Sequence, residues 1–234
     1  MKHLLHLLII FSAIITVTAE ADAQSRKGVS ILGDSYSTFK GFMSDDRNRV
    51  WYSTVANPER TDVDKVSQTW WHKLIVDNGY RLEKNNSYSG ATICNTGYSN
   101  NDYSDRSFVS RLKDLGSPDI IYIFGGTNDD WAKSPMGEFK YEGWTDSDLY
   151  SVRPAITYML SSIRDYYPGT EITVIVNSDM REDVAEALQT AARHYGAGLV
   201  VLHDIDKRSG HPTVKGMAQI AEQIAAYERT NARR

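Results

Sequence analysis

A short segment near the amino terminus of the chain contains a serine in a position typical of a nucleophile. Ser35 lies in the segment Gly33-Asp34-Ser35-Tyr36-Ser37, directly after the apolar run Val29-Ser30-Ile31-Leu32. A serine on a sharp turn between a strand and a helix is lifted clear of the sheet, and the amides of the helix N-terminus can stabilise an oxyanion there. A Gly-Asp-Ser turn is also a common helix N-cap, so this segment alone is compatible with either role.

Three further polar segments each follow a strand-like run or precede a helix-like one. They are Asn86-Ser87-Tyr88-Ser89-Gly90, Gly125-Gly126-Thr127-Asn128-Asp129 and His211-Pro212-Thr213-Val214-Lys215-Gly216-Met217. With the first segment, they resemble in type and order the four blocks of the SGNH (GDSL) hydrolases, which are named for Ser, Gly, Asn and His. The resemblance spans Gly33 to Met217. It implies a serine hydrolase whose catalytic residues are Ser35, Gly90, Asn128 and His211.

A serine hydroxyl is a poor nucleophile and needs a base within hydrogen-bond reach. Of the six histidines in the chain, His211 has the most suitable context. Pro212 fits the first position of a helix, which would place the imidazole just outside the positive N-terminus and keep it neutral. His203, which follows a predicted strand, is either a second candidate or a residue of the rim.

The resemblance assigns the oxyanion donors to the backbone N–H groups of Ser35 and Gly90 and to the side-chain amide of Asn128. A glycine has no Cβ and allows substrate to approach the backbone closely. An asparagine amide donates a hydrogen bond without titrating. Taken singly, the two residues could be a turn glycine and a capping asparagine, and the ordered set favours the catalytic role.

The sequence departs from the family pattern at one position. The usual acid three residues before the histidine is replaced by Arg208. Asp206, five residues before His211, could orient the imidazole if the loop bends. A backbone carbonyl is the other group that could do so, and the sequence leaves both possibilities open.

The composition argues against several other classes of protein. A formal net charge of −4 and a pI of about 5.9 argue against non-specific nucleic-acid binding. The single cysteine, Cys94, excludes an internal disulfide and has no metal-ligand spacing, so we expect a buried apolar role for it. We predict an enzyme without metal or cofactor that acts on a small-molecule or carbohydrate ester, without nucleic acid and without stable membrane insertion.

Residues 1–23 have the pattern of a signal peptide. Lys2 supplies the positive charge, Leu4 to Val17 is an almost unbroken apolar run, and Ala21-Asp22-Ala23 is a small-x-small cleavage site. The apolar run is short for a membrane span, although an uncleaved anchor is the alternative. We predict that cleavage leaves one SGNH hydrolase domain, residues 24–234, which is exported to the periplasm or the extracellular space.

Apolar runs and amphipathic stretches alternate along the rest of the chain. The predicted strands are Gly28–Leu32, Tyr80–Asn86, a third that opens at Pro118, Ile172–Val176 and Leu199–Leu202. The predicted helices are Val66–Val76, Arg106–Leu115, Leu149–Tyr166, Glu182–Tyr195 and a last one from Val214. Strands separated by helices pair in parallel through right-handed crossovers. This predicts an α/β fold, a three-layer α/β/α sandwich with a five-stranded parallel sheet, and the resemblance implies the flavodoxin-like form.

Two long loops, Phe39 to Lys65 and Trp131 to Asp148, follow catalytic blocks and are expected to border the site. They are rich in Asp, Asn, Ser and Tyr, which favours a polar substrate over a lipid. The aromatic residues of the loops either stack on sugar rings or pack the loops down; they are Trp51, Tyr52, Tyr88, Tyr98, Tyr103, Trp131, Tyr141 and Trp144.

These observations predict a serine esterase that hydrolyses short-chain acyl esters, acetyl groups on carbohydrate in particular. One alternative is a lysophospholipase or thioesterase on the same scaffold. The other is a non-catalytic glycan-binding module, although binding alone would not need the serine, glycine, asparagine and histidine together.

Overall fold

A five-stranded parallel sheet forms the centre of the molecule. The computed structural model describes residues 26–55 and 57–231, and the predicted leader, residues 1–23, lies outside them. The strands are β1 (Gly28–Gly33), β2 (Arg81–Ser87), β3 (Ile120–Phe124), β4 (Glu171–Val176) and β5 (Gly198–Val201). Their spatial order is β2-β1-β3-β4-β5, and every neighbouring pair is parallel. The order reverses between β1 and β3, and ligands of open α/β sheets bind at such a switch point.

Successive residues of the strands point to opposite faces of the sheet, and each face carries its own hydrophobic cluster. In β3, Ile121 and Ile123 belong to one cluster, whereas Tyr122 and Phe124 belong to the other. Six helices are described, namely α1 (Trp70–Asp77), α2 (Phe108–Arg111), α3 (Thr127–Ala132), α4 (Val152–Tyr166), α5 (Glu182–His194) and α6 (Val214–Asn231). Helices α2, α4 and α5 cover the first face, and α1 and α6 cover the second. The predicted three-layer α/β/α sandwich is therefore confirmed.

Several predicted helices are shorter in the structure, and one helix was not predicted. The helix predicted over Val66–Val76 begins only at Trp70, because the Thr69 side chain caps it and the preceding turn is a separate 3-10 segment. The helix predicted over Arg106–Leu115 is limited to α2. Helix α3 has the sequence Thr-Asn-Asp-Asp-Trp-Ala, which lacks apolar periodicity, so the pattern gave no indication of it.

A small hairpin precedes the last helix. It pairs β6 (Lys207–Arg208) with β7 (His211–Pro212) in antiparallel fashion. The two residues between the strands, Ser209 and Gly210, have φ angles of 49° and 73°. A two-residue hairpin with positive φ at both positions is a type I′ turn. None of the helices within residues 26–55 and 57–231 has the length and apolar character needed to cross a membrane.

Candidate active site

The predicted nucleophile lies at the carboxyl end of β1, at the switch point of the sheet. Ser35 begins a 3-10 turn, Ser35–Ser37, and is 3% exposed. Asp34 holds this turn, because its carboxylate accepts a hydrogen bond of 3.0 Å from the backbone N–H of Tyr36. Within the described residues, the N–H of Ser35 donates to no protein acceptor. That N–H is therefore available to an oxyanion.

Ser35 and His211 are in direct contact although 176 positions separate them in the sequence. The Ser35 Oγ lies 2.9 Å from His211 Nε2. The other ring nitrogen, Nδ1, lies 3.0 Å from the carbonyl oxygen of Ser209. A carbonyl oxygen can only accept, so Nδ1 carries the proton and Nε2 is left to accept from the serine hydroxyl. This is the tautomer that a general base requires.

The hairpin, and not a helix start, positions His211. The prediction placed Pro212 in the first turn of a helix, but His211 and Pro212 form β7, and α6 begins at Val214. The helix starts later because the side chain of Thr213 accepts from the backbone N–H of Gly216, which caps α6. The type I′ turn points the Ser209 carbonyl back at the imidazole.

Asp206, the acid that the sequence left open, does not contact His211. Its carboxylate instead accepts a short hydrogen bond from the Thr213 hydroxyl. Its backbone oxygen accepts from the N–H of Thr213 at 3.1 Å, so Asp206 holds the start of α6. Arg208, which replaces the family's usual acid, donates to the carbonyl oxygen of Pro58. Of the two groups considered, only the backbone carbonyl contacts the imidazole.

Gly90 follows the end of β2 and has a φ of +89°, in the left-handed region that favours glycine. A Cβ at this position would meet nothing within 4 Å, so backbone conformation and not crowding requires the glycine. Within the described residues, its N–H donates to no protein acceptor. The next residue, Ala91, accepts from the amide of Asn128 at 3.0 Å, which ties the Gly90 turn to the Asn128 helix.

Asn128 lies in the first turn of α3, just past the end of β3, and is 2% exposed. Its Nδ2 donates to the Ala91 carbonyl oxygen, and also to Asp34 Oδ2 over a longer distance of 3.3 Å. Its Oδ1 accepts a hydrogen bond of 2.7 Å from the hydroxyl of Tyr98. An oxyanion would compete with Asp34 for the second amide hydrogen, because that is the weaker of the two bonds.

Comparison with known proteins shows which family the chain belongs to. The family model of the GDSL-like lipases/acylhydrolases matches residues 27–227. The chain belongs to that family. It is accordingly an ester hydrolase, and its fold is that of the SGNH enzymes.

Solved structures include two with high similarity to this hydrolase. A Bacteroides ovatus protein designated a GDSL-like lipase is 55% identical, with 88% of this chain and 99% of that chain covered and a TM-score of 0.86. A Bacteroides uniformis protein with the same designation is 50% identical, with 89% and 97% covered and a TM-score of 0.84. A family two carbohydrate esterase from Clostridium thermocellum, solved with cellohexaose, shares the fold at 13% identity, with 88% and 64% covered and a TM-score of 0.56. No curated protein matches the chain.

Aromatic rings enclose His211, the candidate base. The ring of Trp51 stacks on His211 with centroids 3.4 Å apart and an interplanar angle of 6°. The guanidinium carbon of Arg60 lies 4.0 Å from the other face of the same indole. Trp131, Tyr36 and Tyr52 approach His211 edge-on.

The pKa of His211 falls to about 4, chiefly because burial disfavours the imidazolium. The hydrogen bond to Ser209 opposes the fall, and the positive charges of Arg60 and Lys207 add to it. The sequence predicted a neutral imidazole on the grounds of a nearby helix N-terminus. The predicted lowering of the His211 pKa agrees with the structure, but its main physical cause is burial and not a helix N-terminus.

Two buried carboxyl groups lie behind the catalytic residues. Burial raises the pKa of Asp34 to about 7 and that of Asp129 to about 6. Asp129 accepts hydrogen bonds from the backbone N–H groups of Ile93 at 2.8 Å and Cys94 at 3.2 Å. Asp129 therefore fixes the segment that follows Gly90 against the helix that carries Asn128. Cys94 is itself fully buried, as expected.

Sequence reasoning missed the roles of two groups of the site and left open which group orients the imidazole. Trp51 and Tyr98 were noted only as loop aromatics, and the Ser209 carbonyl belongs to a residue with no chemical signature. A signal for the carbonyl existed in the Ser-Gly pair at 209–210, which is typical of a tight hairpin. His203, the second candidate base, lies elsewhere and contacts Asp204 on the surface.

Three of the loop aromatics pack against other parts of the protein, which is one of the two roles that the sequence allowed. Both faces of Trp51 are covered, so it offers no face to a sugar. Tyr141 contacts His194 at the far end of α5, and the Trp144 indole N–H bonds to Thr157 on α4. The second loop therefore borders the site only near Trp131, which is 41% exposed.

Proposed function

We propose that this hydrolase is a serine esterase that removes short acyl groups, acetyl groups on carbohydrate in particular. The observation that carries the proposal is the 2.9 Å contact between Ser35 Oγ and His211 Nε2, with Nδ1 held by the Ser209 carbonyl. A hydroxyl in contact with a neutral imidazole is the arrangement required for nucleophilic catalysis.

In the proposed reaction, Ser35 Oγ attacks the acyl carbon while its proton passes to His211 Nε2. The N–H groups of Ser35 and Gly90 and the amide of Asn128 stabilise the oxyanion. Collapse of the tetrahedral intermediate breaks the ester C–O bond, and His211 returns the proton to the departing alcohol. Water then attacks the acyl-serine with His211 again as base, which releases the acid and restores Ser35.

The surroundings of Ser35 support a small polar substrate. The carboxyl group of Asp34, the amide of Asn128 and the hydroxyl of Tyr98 form one connected polar group beside it. Trp131 offers an exposed ring at the edge of His211, where a sugar could stack. A fold relative has been solved with cellohexaose, and this likeness is consistent with a carbohydrate ester as substrate.

We also propose that the enzyme is exported and acts without metal or cofactor. The support for export is the apolar run Leu4 to Val17 followed by the small residues Ala21 and Ala23. The support for a reaction without a cofactor is that the four catalytic residues alone supply nucleophile, base and oxyanion donors.

The test is a Ser35→Ala variant assayed on nitrophenyl esters, acetylated xylan and lysophospholipid. Ester hydrolysis should be abolished, and a serine-directed phosphonate should label Ser35 in the wild type. The matched control is Ser30→Ala, a buried serine of β1 whose hydroxyl donates to the carbonyl oxygen of Leu115. That control should lose some stability and keep its activity. Full activity in Ser35→Ala would remove the proposal, and binding of glycan without turnover in the wild type would favour the non-catalytic alternative.

A further inference from the structure

His211 lacks the charged partner that usually orients a catalytic histidine. The N–H of Nδ1 and the lone pair of Nε2 lie in the plane of the imidazole, and each forms one hydrogen bond. These hydrogen bonds fix the positions of the two nitrogens but resist rotation of the ring about the line between them only weakly. The Ser209 carbonyl also carries no formal charge. Some other contact must therefore set the plane of the imidazole.

Trp51 provides that contact. Its indole is parallel to the imidazole within 6° at a centroid distance of 3.4 Å, which is full face-to-face contact. The three other rings near His211 meet it at 62° to 77°, so none of them defines the ring plane in this way.

The Trp51 segment is itself fixed to both halves of the site. The backbone N–H of Trp51 donates to the hydroxyl of Thr38 at 2.8 Å, and Thr38 follows the nucleophile turn. The hydroxyl of Tyr52 donates to the carbonyl oxygen of Pro212 at 2.9 Å, next to the base. The indole therefore keeps a set position relative to both Ser35 and His211.

Arg60 closes the stack from outside. Its guanidinium lies over the second face of Trp51. The turn that carries it is held to the catalytic hairpin, because Arg208 donates to the Pro58 carbonyl at 3.0 Å. In the described part of the chain, no carboxylate forms a salt bridge with Arg60, so its charge is not neutralised by an ion pair.

We propose that Trp51, covered by Arg60, is the positioning residue of the catalytic histidine and, together with the Ser209 carbonyl, takes the place of the orienting acid of a triad. The stack holds the imidazole in line with the serine, and the cation beyond the indole favours the neutral ring. The proposal rests on the proposed function in assuming that His211 is the base. Trp51 acts through His211, because neither of its faces is open to substrate.

The first test replaces the indole. In Trp51→Leu, we expect kcat to fall by about 10–100-fold because the base is misaligned, with KM changed by less than about threefold. Trp51→Phe retains a flat face and should recover most of kcat. The matched control is Trp144→Leu, which removes an indole of the second loop that packs on α4. It should keep kcat even if its melting temperature falls.

The second test removes the charge and measures His211 directly. The groups that face the imidazole are Ser35, Tyr36, Tyr52, Trp51 and Trp131, and the cations that act on it are Arg60 and Lys207. Lys207 is paired with Asp179 at 2.7 Å. In Arg60→Gln, we expect NMR titration to show a His211 pKa higher by about half a pH unit, with the acid limb of kcat/KM displaced equally. Arg47→Gln, an exposed arginine of the same loop paired with Asp45, should leave both unchanged.

The outcomes separate this inference from the proposed function. If the wild type shows no Ser35-dependent hydrolysis, the proposed function fails, whereas the NMR titration still tests the stack. If the wild type is active and folded Trp51→Leu keeps its kcat within about threefold, Trp51 does not position the base. If Trp51→Leu does not fold, the variants Trp51→Phe and Arg60→Gln decide whether the proposal holds. A His211 pKa that does not rise in Arg60→Gln overturns the role of the stack.

Discussion

At the scale of single residues, the candidate site combines a buried histidine, the proposed base, with an uncharged orienting group. His211 is 4% exposed and Ser35 is 3% exposed, so both work in a medium of low polarity. In that medium an imidazolium is costly, and a carbonyl offsets less of the cost than a carboxylate would. We therefore expect a base that stays neutral in acid.

The first prediction concerns pH. The pKa of His211 is lowered from its ordinary 6.5 to about 4. The base is active when neutral, so activity is retained above this value and lost as the pH falls through it. We expect kcat/KM to be half-maximal near pH 4 and nearly constant between pH 5 and 6.5. Half-maximal activity near pH 6.5 would show that the imidazole titrates as if it were exposed.

The second prediction concerns Tyr98, whose hydroxyl holds the amide of Asn128. Asn128→Ala should lower kcat by about 10²–10³-fold with little change in KM, because it removes an oxyanion donor. Tyr98→Phe should lower kcat by about tenfold, since the amide is less firmly held. In the Asn128→Ala background, Tyr98→Phe should have no further effect. Tyr103→Phe, a neighbouring tyrosine, is the control, and additive losses would mean that Tyr98 acts elsewhere.

The sequence predicted the site residues Ser35, Gly90, Asn128 and His211. In each case the residue type, including the absence of a side chain at Gly90, and the flanking sequence together indicated the role. The sequence could not decide the orienting group. A side-chain carboxylate can be located in a sequence, because only Asp and Glu carry one. Every residue has a backbone carbonyl, and only the conformation of the turn determines which one points at the imidazole. The role of Trp51 was equally ambiguous, because a loop aromatic that packs against the protein and one that binds a ligand look the same in a sequence.

At the scale of elements, the hairpin β6–β7 and the start of α6 form one unit. Asp206 joins them through its carboxylate and its backbone oxygen, both of which contact Thr213. Gly216 allows this approach, because a Cβ there would lie 2.1 Å from the backbone oxygen of Asp206. The unit carries the base, although none of these groups touches it.

The third prediction follows from that arrangement. Asp206→Asn should lower the free energy of unfolding by about 1–2 kcal/mol, because a charge-assisted hydrogen bond to Thr213 becomes a neutral one. Its kcat should stay within a few-fold of the wild type. Denaturant unfolding and ester kinetics measure the two effects. A drop in kcat of about a thousandfold with unchanged stability would mean that Asp206 orients the imidazole in solution.

Helices and strands were predicted well where burial produces a repeating pattern of apolar residues in the sequence, and less well at the candidate site. Four of the five strands are runs of mostly apolar or β-branched residues, whereas β2 contains a single apolar residue, Leu82. Helices α4, α5 and α6 each have one apolar face. Helix α3 is different, because its buried residues are Thr127, Asn128, Asp129 and Asp130. Polar residues buried for chemistry interrupt the periodicity on which sequence reasoning depends.

At the scale of the whole molecule, the two hydrophobic clusters are closed by helices on both faces of the sheet, and the site occupies one edge. Around that edge, the first loop contributes Trp51, and the end of α3, from which the second loop continues, contributes Trp131. The remaining loop residues are largely polar or packed on helices. This distribution leaves the catalytic edge polar and lined by rings.

The fourth prediction concerns the length of the acyl group. Acetyl and propionyl nitrophenyl esters should be better substrates than octanoyl esters, because a nucleophile that is 3% exposed between polar groups and rings has little apolar surface for a tail. The ratio of kcat/KM values across the series measures this preference. A kcat/KM that rises steadily with chain length would favour a lysophospholipase or thioesterase.

The group that contacts Nδ1 of His211 belongs to the main chain, because it is the carbonyl of Ser209. A main-chain oxygen survives every amino-acid substitution, so drift at positions 206–209 can erase the acidic residue without erasing the interaction. What the interaction requires there is the shape of the turn, with residues that accept positive φ at 209 and 210. A search that demands an acid three residues before the histidine would pass over this chain, whereas one that demands the turn would find it.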